Sequence, residues 1–418
     1  MKKIHASIIT IGDELLIGQV IDTNSSWIAQ SLNKVGIQVK SRIAVGDNRA
    51  DIWQALDETI EKSDLVLITG GLGPTADDIT KPLLCDYFGG KMVMDQATLD
   101  HVTYIFEHIL KRPMIERNTL QAQVPDICTV LKNEKGTAPG MLFIKKNTRI
   151  IAMPGVPHEM KWIMQQHVLP LTSKWFNSGF IEHRTLLTVG IGESFLAEKI
   201  KDFEQALPAH IKLAYLPNYG MVRLRLSAWG NNLEILNKDL DSQFNQLKNN
   251  VLEHLVTDKD EPMEVVVGNL LKQKKQTIAT AESCTGGYIA HLLSKHAGSS
   301  LFYTGSIISY ANIIKEQFLD VSHETLTTVG AVSKEAVTQM AIAVREKMNS
   351  DYAIAVSGIM GPGGATEEKS VGLVWIAVAS NNQVIAKDFQ FRFDRERNIS
   401  LTAVNALNMI RTMIVDNS

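Results

Sequence analysis

The chain has 418 residues, 45% of them hydrophobic and 21% charged, with 28 glycines and 12 prolines, which excludes a disordered, collagenous or low-complexity chain and suggests two or three domains. A net charge of −3, from 42 Lys and Arg against 45 Asp and Glu, lacks the basic excess of a nucleic-acid or anionic-membrane binder. Cys85, Cys128 and Cys284 stand far apart with no CxxC spacing, which argues against a disulfide scaffold or a cysteine zinc site and fits a reducing, cytoplasmic setting.

In chain order, Ile4–Ile11 reads as a strand. Its apolar run is broken by His5 and meets Gly12-Asp13-Glu14 at once, unlike a signal peptide. Ser25–Val35 and Ala50–Lys62 have helical periodicity, and Ile37–Val45 and Asp64–Thr69 are β-branched runs. Thr75–Phe88 and Ala97–Lys111 are predicted helices, and Arg149–Met153 a buried strand. Such alternation implies a parallel sheet covered on both faces. From 171 to about 257 the pattern changes to strands His183–Val189 and Met221–Ala228 and a polar helix Asn232–Leu255, a small α+β unit. Asp258-Lys-Asp-Glu-Pro262 is the best linker candidate. Beyond it, helices Met263–Lys274, Thr285–Ser294 and Lys334–Met348 alternate with strands Thr277–Ala281, Gly305–Tyr310, Asp351–Ser357 and Gly372–Ala379, and a last helix starts near Arg395. The division expected is 1–170, 171–257 and 258–418. No run reaches the roughly 18 apolar residues of a membrane helix.

In the first block three motifs follow strands and therefore share one sheet edge. These are Gly12-Asp13-Glu14, the loop Gly70-Gly71-Leu72-Gly73-Pro74-Thr75-Ala76-Asp77-Asp78, and Pro154-Gly155-Val156-Pro157. Glycines let a phosphate approach the backbone, and a helix start offers free N–H groups. Two aspartates in the same turn suit a phosphate only with a divalent cation between them; otherwise they cap the helix.

In the third block Glu282-Ser283-Cys284-Thr285-Gly286-Gly287 places a serine at a sharp turn, with N–H groups available to an oxyanion. A serine nucleophile needs a base, and a desolvated lysine is one way to supply it. Tyr310-Ala-Asn312-Ile-Ile-Lys315 offers a lysine just past a strand end. The competing reading is an exposed helix lysine beside a core tyrosine. Cys284 is a rival nucleophile, read here as a small buried cysteine.

These motifs resemble the CinA family (competence/damage-inducible protein A) over nearly the whole chain. The first three look like its molybdopterin-binding-like domain, although Leu72 stands where molybdenum-cofactor proteins of that fold carry Thr or similar. That resemblance implies a metal-dependent ADP-ribose pyrophosphatase. It places a nucleotide on Gly12, Gly70, Gly71, Gly73, Pro74, Thr75, Pro154 and Gly155; a divalent metal on Asp78, with Asp13 and Glu14 as further ligands, is our own inference. Ala281–Gly287, Tyr310-x-Asn312-x-x-Lys315, Gly330–Ser333 and Ser357-Gly358-Ile-Met-Gly361-Pro362 look like the CinA C-terminal domain, a family of nicotinamide mononucleotide (NMN) deamidases. By that resemblance Ser283, Tyr310 and Lys315 are catalytic, with no cofactor, and the products are nicotinic acid mononucleotide and ammonia. Tyr310 would hold or relay the proton. Thr285, Gly286 and Gly287 would stabilise the oxyanion, and Asn312 would orient Lys315 or the carboxamide. Gly358, Gly361 and Arg395 would meet ribose or phosphate, Arg395 within a Phe-Arg-Phe-Asp-Arg stretch that departs from the family's Phe-Ser-Gly-Asp-Arg.

The fold class expected is α/β throughout, with a molybdopterin-binding-like domain, a central KH-like spacer or dimer element, and a deamidase domain. The partners expected are NMN, ADP-ribose and a second copy of the chain, with no membrane and no nucleic acid. A non-catalytic adaptor in competence or DNA repair, and a molybdopterin-handling enzyme, stay open as alternatives.

Overall fold

The structure, a computed structural model, describes residues 3–75, 78–176 and 178–416. The chain forms two compact units, one holding residues up to Glu182 with Ala228–Asp239, the other His183–Ser227 with Leu240 onward.

The first unit is built on a six-stranded sheet ordered Gln38–Val45, His5–Ile11, Leu65–Thr69, Thr148–Met153, Gly140–Lys145, Thr129–Leu131. Side chains alternate across a strand, and both faces are buried. Ile9, Ile11, Val66 and Ile68 enter one core and Ala6, Ile8, Leu65 and Leu67 the other. The first four strands are parallel, as the alternation predicts. The last two are antiparallel, so the sheet is mixed. The glycine loop does not run straight into a helix. The helix begins at Thr80, not Thr75, because the Asp78 carboxylate takes the N–H groups of Gly73 and Thr75 and holds the segment as a closed turn. Ala76 and Asp77 lie outside the described residues.

In the second unit the segment 183–257 contributes to a four-stranded sheet ordered Ile211–Asn218, Met221–Gly230, Phe180–Val189, Leu255–Thr257. The polar helix is shorter than expected, Leu233–Asn250, and residues 255–257 are a strand. The last block is a five-stranded sheet ordered Tyr303–Ile308, Ile278–Glu282, Tyr352–Gly358, Leu373–Ala379, Val384–Gln390. One face is small: Ala279, Ala281, Ala353 and Ala355 let helix Lys334–Lys347 pack closely. The other carries Ile278, Tyr352, Ile354 and Val356 against the final helix Arg395–Asp416. That second core also takes in Leu187 and Met221 of the segment 183–257, so this segment is packed into the unit rather than spaced from it.

Candidate active site

In the first unit the ends of His5–Ile11, Leu65–Thr69 and Thr148–Met153 leave the sheet side by side. The Gly70 N–H donates to the Met153 carbonyl (3.2 Å), Thr69 Oγ1 to the Pro154 carbonyl (2.9 Å) and Asn24 Nδ2 to the Gly155 carbonyl (2.7 Å). A cleft of about 150 Å³ opens there, walled by Glu14, Asn24, Thr69, Gly70, Gly155 and Pro157. Gly70 has φ +117°, and a Cβ on it would lie 2.1 Å from the Ile11 carbonyl oxygen, so the crossing tolerates no side chain. Thus the strand-end motifs converge through Gly70, Pro154, Gly155 and Glu14, while Gly71, Gly73, Pro74 and Thr75 form the turn beside Asp78.

The three carboxylates expected to bind metal are placed differently from one another. Asp78 Oδ1 accepts from the Gly73 N–H (2.8 Å), and its Oδ2 accepts from the Thr75 N–H (2.9 Å) and the Thr75 hydroxyl. Asp13 is tied to Asp47: its N–H donates to Asp47 Oδ2 (3.0 Å) and its Oδ1 accepts from the Asp47 N–H (3.1 Å). Glu14 alone of the three walls the cleft. Among the described residues no group of three or more His, Cys, Asp or Glu is placed to hold a metal ion.

One titratable residue here carried no sequence signal. Lys81, 5% exposed, donates from Nζ to the carbonyls of Gln121 (2.7 Å) and Gln123 (3.4 Å). Burial lowers its pKa to about 8, against the upward pull of Asp78.

In the second unit Ser283 follows the buried strand Ile278–Glu282, and its N–H donates to the Val356 carbonyl (3.1 Å). On the other side the parallel strand Tyr303–Ile308 delivers Ser309, whose N–H donates to the Glu282 carbonyl (2.8 Å). The helix Asn312–Leu319 then turns Lys315 back toward the serine. Lys315 Nζ lies 3.1 Å from Ser283 Oγ, 2.7 Å from the Ser309 carbonyl and 3.3 Å from the Tyr310 carbonyl. The side chain is 1% exposed. Burial holds the ammonium below the ordinary lysine value, with the Cys284 sulfur acting the opposite way. None of its bonded partners is a carboxylate.

The turn after Ser283 is organised by Glu282, a residue the sequence reading passed over. Its carboxylate is fully buried and accepts from Thr285 Oγ1 (2.7 Å) and the N–H groups of Gly287 (3.1 Å), Ile289 (3.0 Å) and Ala290 (2.7 Å). The helix starts at Tyr288, later than Thr285, because Gly286 and Gly287, at φ +61° and +96°, carry the turn through left-handed backbone. The Gly287 N–H is committed to Glu282 and the Gly286 N–H to the Ser283 carbonyl (3.2 Å). Burial, with Glu282 adding to it, pushes the Cys284 thiol up to about 12.

Tyr310 and Arg395 form a second pair. Tyr310 is 65% exposed and reaches Lys315 through its carbonyl, not its hydroxyl. The hydroxyl accepts from Arg395 Nη2 (3.3 Å), and Arg395 Nη1 donates to the Gly361 carbonyl (3.0 Å). Asn312 starts its helix exposed, with no bond to Lys315. Gly358 ends its strand against Val374, where a Cβ would lie 2.7 Å from Cγ2. The bland assignment is inverted: the lysine is buried and the tyrosine exposed.

The two units thus present a mixed-sheet domain with a glycine-lined cleft, and a KH-like segment packed with an α/β domain that holds a serine–lysine pair. Residues 7–174 match a model described as a probable molybdopterin binding domain, 183–256 the damage-inducible protein CinA KH domain, and 260–414 the CinA C-terminal domain. A CinA-like protein of Cytophaga hutchinsonii is 46% identical over 411 residues, covering 98% of both chains. One of Flavobacterium psychrophilum is 45% identical over 413 residues, 99% of both. The crystal structure of competence/damage inducible protein CihA from Agrobacterium tumefaciens is 36% identical with a TM-score of 0.35, covering 36% of this chain and 93% of that one. The chain belongs to the CinA family. Among the described residues no helix is long and apolar enough to cross a membrane.

Proposed function

We propose that the second unit hydrolyses the carboxamide of nicotinamide mononucleotide. One observation supports this above the rest: a lysine nitrogen, buried and without a carboxylate partner among the described residues, lies 3.1 Å from a serine hydroxyl at a strand-end turn. A neutral Lys315 takes the proton of Ser283 as its Oγ bonds to the amide carbon. Backbone N–H groups of the turn after Ser283 stabilise the tetrahedral oxyanion. Lys315 returns the proton to the amine as the C–N bond breaks, and ammonia leaves. Water deprotonated by Lys315 then cleaves the acyl ester, giving nicotinic acid mononucleotide. Arg395 and Tyr310, bonded to each other and exposed, are the groups able to meet the rest of the nucleotide. The test is ammonia release from NMN by the purified chain and by Ser283→Ala; full activity in the variant overturns the scheme.

For the first unit we propose a nucleotide ligand, with ADP-ribose pyrophosphate hydrolysis as its reaction. The convergence of three strand ends on one cleft favours it. Production of AMP from ADP-ribose, with and without added divalent metal, tests it; no AMP under either condition refutes it.

A further inference from the structure

Four side-chain hydroxyls gather where the five-stranded sheet of the second unit ends beside Lys315. The register places three of them. Ile308 and Val356 stand opposite Glu282 on the two flanking parallel strands. One residue further on, Ser309, Ser283 and Ser357 therefore leave three adjacent strands at one level. The fourth is Thr285, two residues into the turn.

Three of the four hydroxyls are committed. Ser357 Oγ donates to the Ala331 carbonyl (2.7 Å), Thr285 Oγ1 to the Glu282 carboxylate (2.7 Å), and Ser283 Oγ meets Lys315 Nζ. Ser309 Oγ is fully buried and has no hydrogen-bond partner among the described residues. The backbone of the same residue is firmly held, its N–H by the Glu282 carbonyl (2.8 Å) and its carbonyl by Lys315 Nζ (2.7 Å). Buried hydroxyls are ordinarily paired. An alanine would keep both backbone bonds, so the backbone gives no reason for the oxygen.

Hydrolysis of the acyl ester gives one. Once Ser283 carries the acyl group, its oxygen has no proton to share with Lys315. The lysine nitrogen keeps its two carbonyl partners, and its third position opens to a water. That water directs one hydrogen to Nζ and an oxygen lone pair to the ester carbon. Its second hydrogen needs an acceptor, and a serine hydroxyl is one.

We propose that Ser309 is a positioning residue for the hydrolytic water, its hydroxyl accepting the second hydrogen while Lys315 takes the first. A single water bridges partners about 5–6 Å apart. The water oxygen bonds to the ester carbon as its proton passes to Lys315. The bond from that carbon to Ser283 Oγ then breaks, and Lys315 returns the proton to the serine. The inference rests on the amide-hydrolysis reading above and concerns only its second half, after ammonia has left.

Rapid-quench measurement of ammonia release from NMN separates the halves, because ammonia leaves on acylation and the acid on deacylation. In Ser309→Ala the first turnover stays within about threefold of the unsubstituted chain while the steady rate falls tenfold or more. Ammonia then appears as a burst of one per chain, with acyl ester accumulating. Hydroxylamine, a nucleophile that does not depend on this seat, raises the variant's steady rate and yields the hydroxamate. Ser309→Thr, which keeps a hydroxyl, shows no burst. The melting temperature of Ser309→Ala is no lower than that of the unsubstituted chain, since the oxygen removed bonds no protein group. An unchanged steady rate, equal slowing of both phases, or a lowered melting temperature overturns the proposal and leaves the amidase reading standing. If the unsubstituted chain releases no ammonia from NMN, the amidase reading fails, and this one with it.

Discussion

Lys315 and Ser283, 32 residues apart, meet at 3.1 Å because two parallel neighbouring strands end at the same level and the helix after the second folds its first turn back over the first. The ammonium is held by two backbone carbonyls instead of a carboxylate. Neutral acceptors orient the nitrogen without the charge that would fix its proton, which is what a lysine base requires.

The first prediction concerns pH. Burial makes the folded Lys315 a weaker base than a free lysine, and only its neutral form accepts the Ser283 proton. kcat/KM for ammonia release therefore rises with pH along one limb whose midpoint lies below the ordinary lysine value. Lys315→Met removes the limb and lowers kcat by about 10³-fold or more. A pH profile of the unsubstituted chain that is flat from 6 to 10 contradicts the assignment.

Much of this site was legible in the sequence and some was not. The strand pattern put the Ala281–Gly287 and Tyr310–Lys315 motifs at sheet ends, but the roles proposed for Ser283 and Lys315 came from the family resemblance. Their burial was not readable: Lys315 and Tyr310 occupy neighbouring turns, and only the fold decides which points inward. Glu282 escaped because its partners lie three to eight residues downstream, in a turn with no capping signature of its own. The helix start at Thr80 was misplaced because Asp78 competes for backbone donors that a helix would otherwise leave free. Of the two antiparallel strands not foreseen, Thr129–Leu131 is only three residues long and lies at the edge of the sheet, while Gly140–Lys145, six residues long, lies inside it.

The second prediction is about Glu282. Its carboxylate satisfies three backbone N–H groups and the hydroxyls of Thr280 and Thr285, out of reach of water. Glu282→Ala leaves these donors unpaired and costs about 3 kcal/mol of stability, read by urea unfolding. Ammonia release from the remaining folded protein falls at least 100-fold, since the turn no longer presents Ser283. Stability within about 0.5 kcal/mol of the unsubstituted chain would show that the turn holds itself.

Cys284 gives the third prediction. A thiol pushed up to about 12 is protonated at neutral pH and is not a nucleophile. Cys284→Ala keeps ammonia release within a few-fold, and iodoacetamide at pH 7.5 leaves the folded chain's Cys284 unlabelled. An inactive Cys284→Ala variant that folds normally would transfer the chemistry from the serine to the thiol.

The fourth prediction concerns Lys81 in the first unit. Its folded pKa, about 8, lies below the unfolded 10.5, so between these values the unfolded chain binds more protons. Stability therefore rises with pH across that window, and the full cost of burying the charge is present below it. Against Lys81→Met as reference, the unsubstituted chain gains about 3 kcal/mol between pH 7 and pH 10.5. Paired urea titrations at the two pH values measure this, and a difference independent of pH contradicts it.

The central claim, that Ser283 carries the acyl group while Lys315 moves the proton, is tested most directly by trapping the intermediate. Protein acid-quenched during turnover of NMN is digested and its peptides weighed. The account predicts the nicotinate nucleotide acyl group on the peptide holding Ser283, placed on the serine oxygen by fragmentation, and its absence from Ser283→Ala. An adduct on Cys284, or undiminished ammonia release by Ser283→Ala, would contradict it.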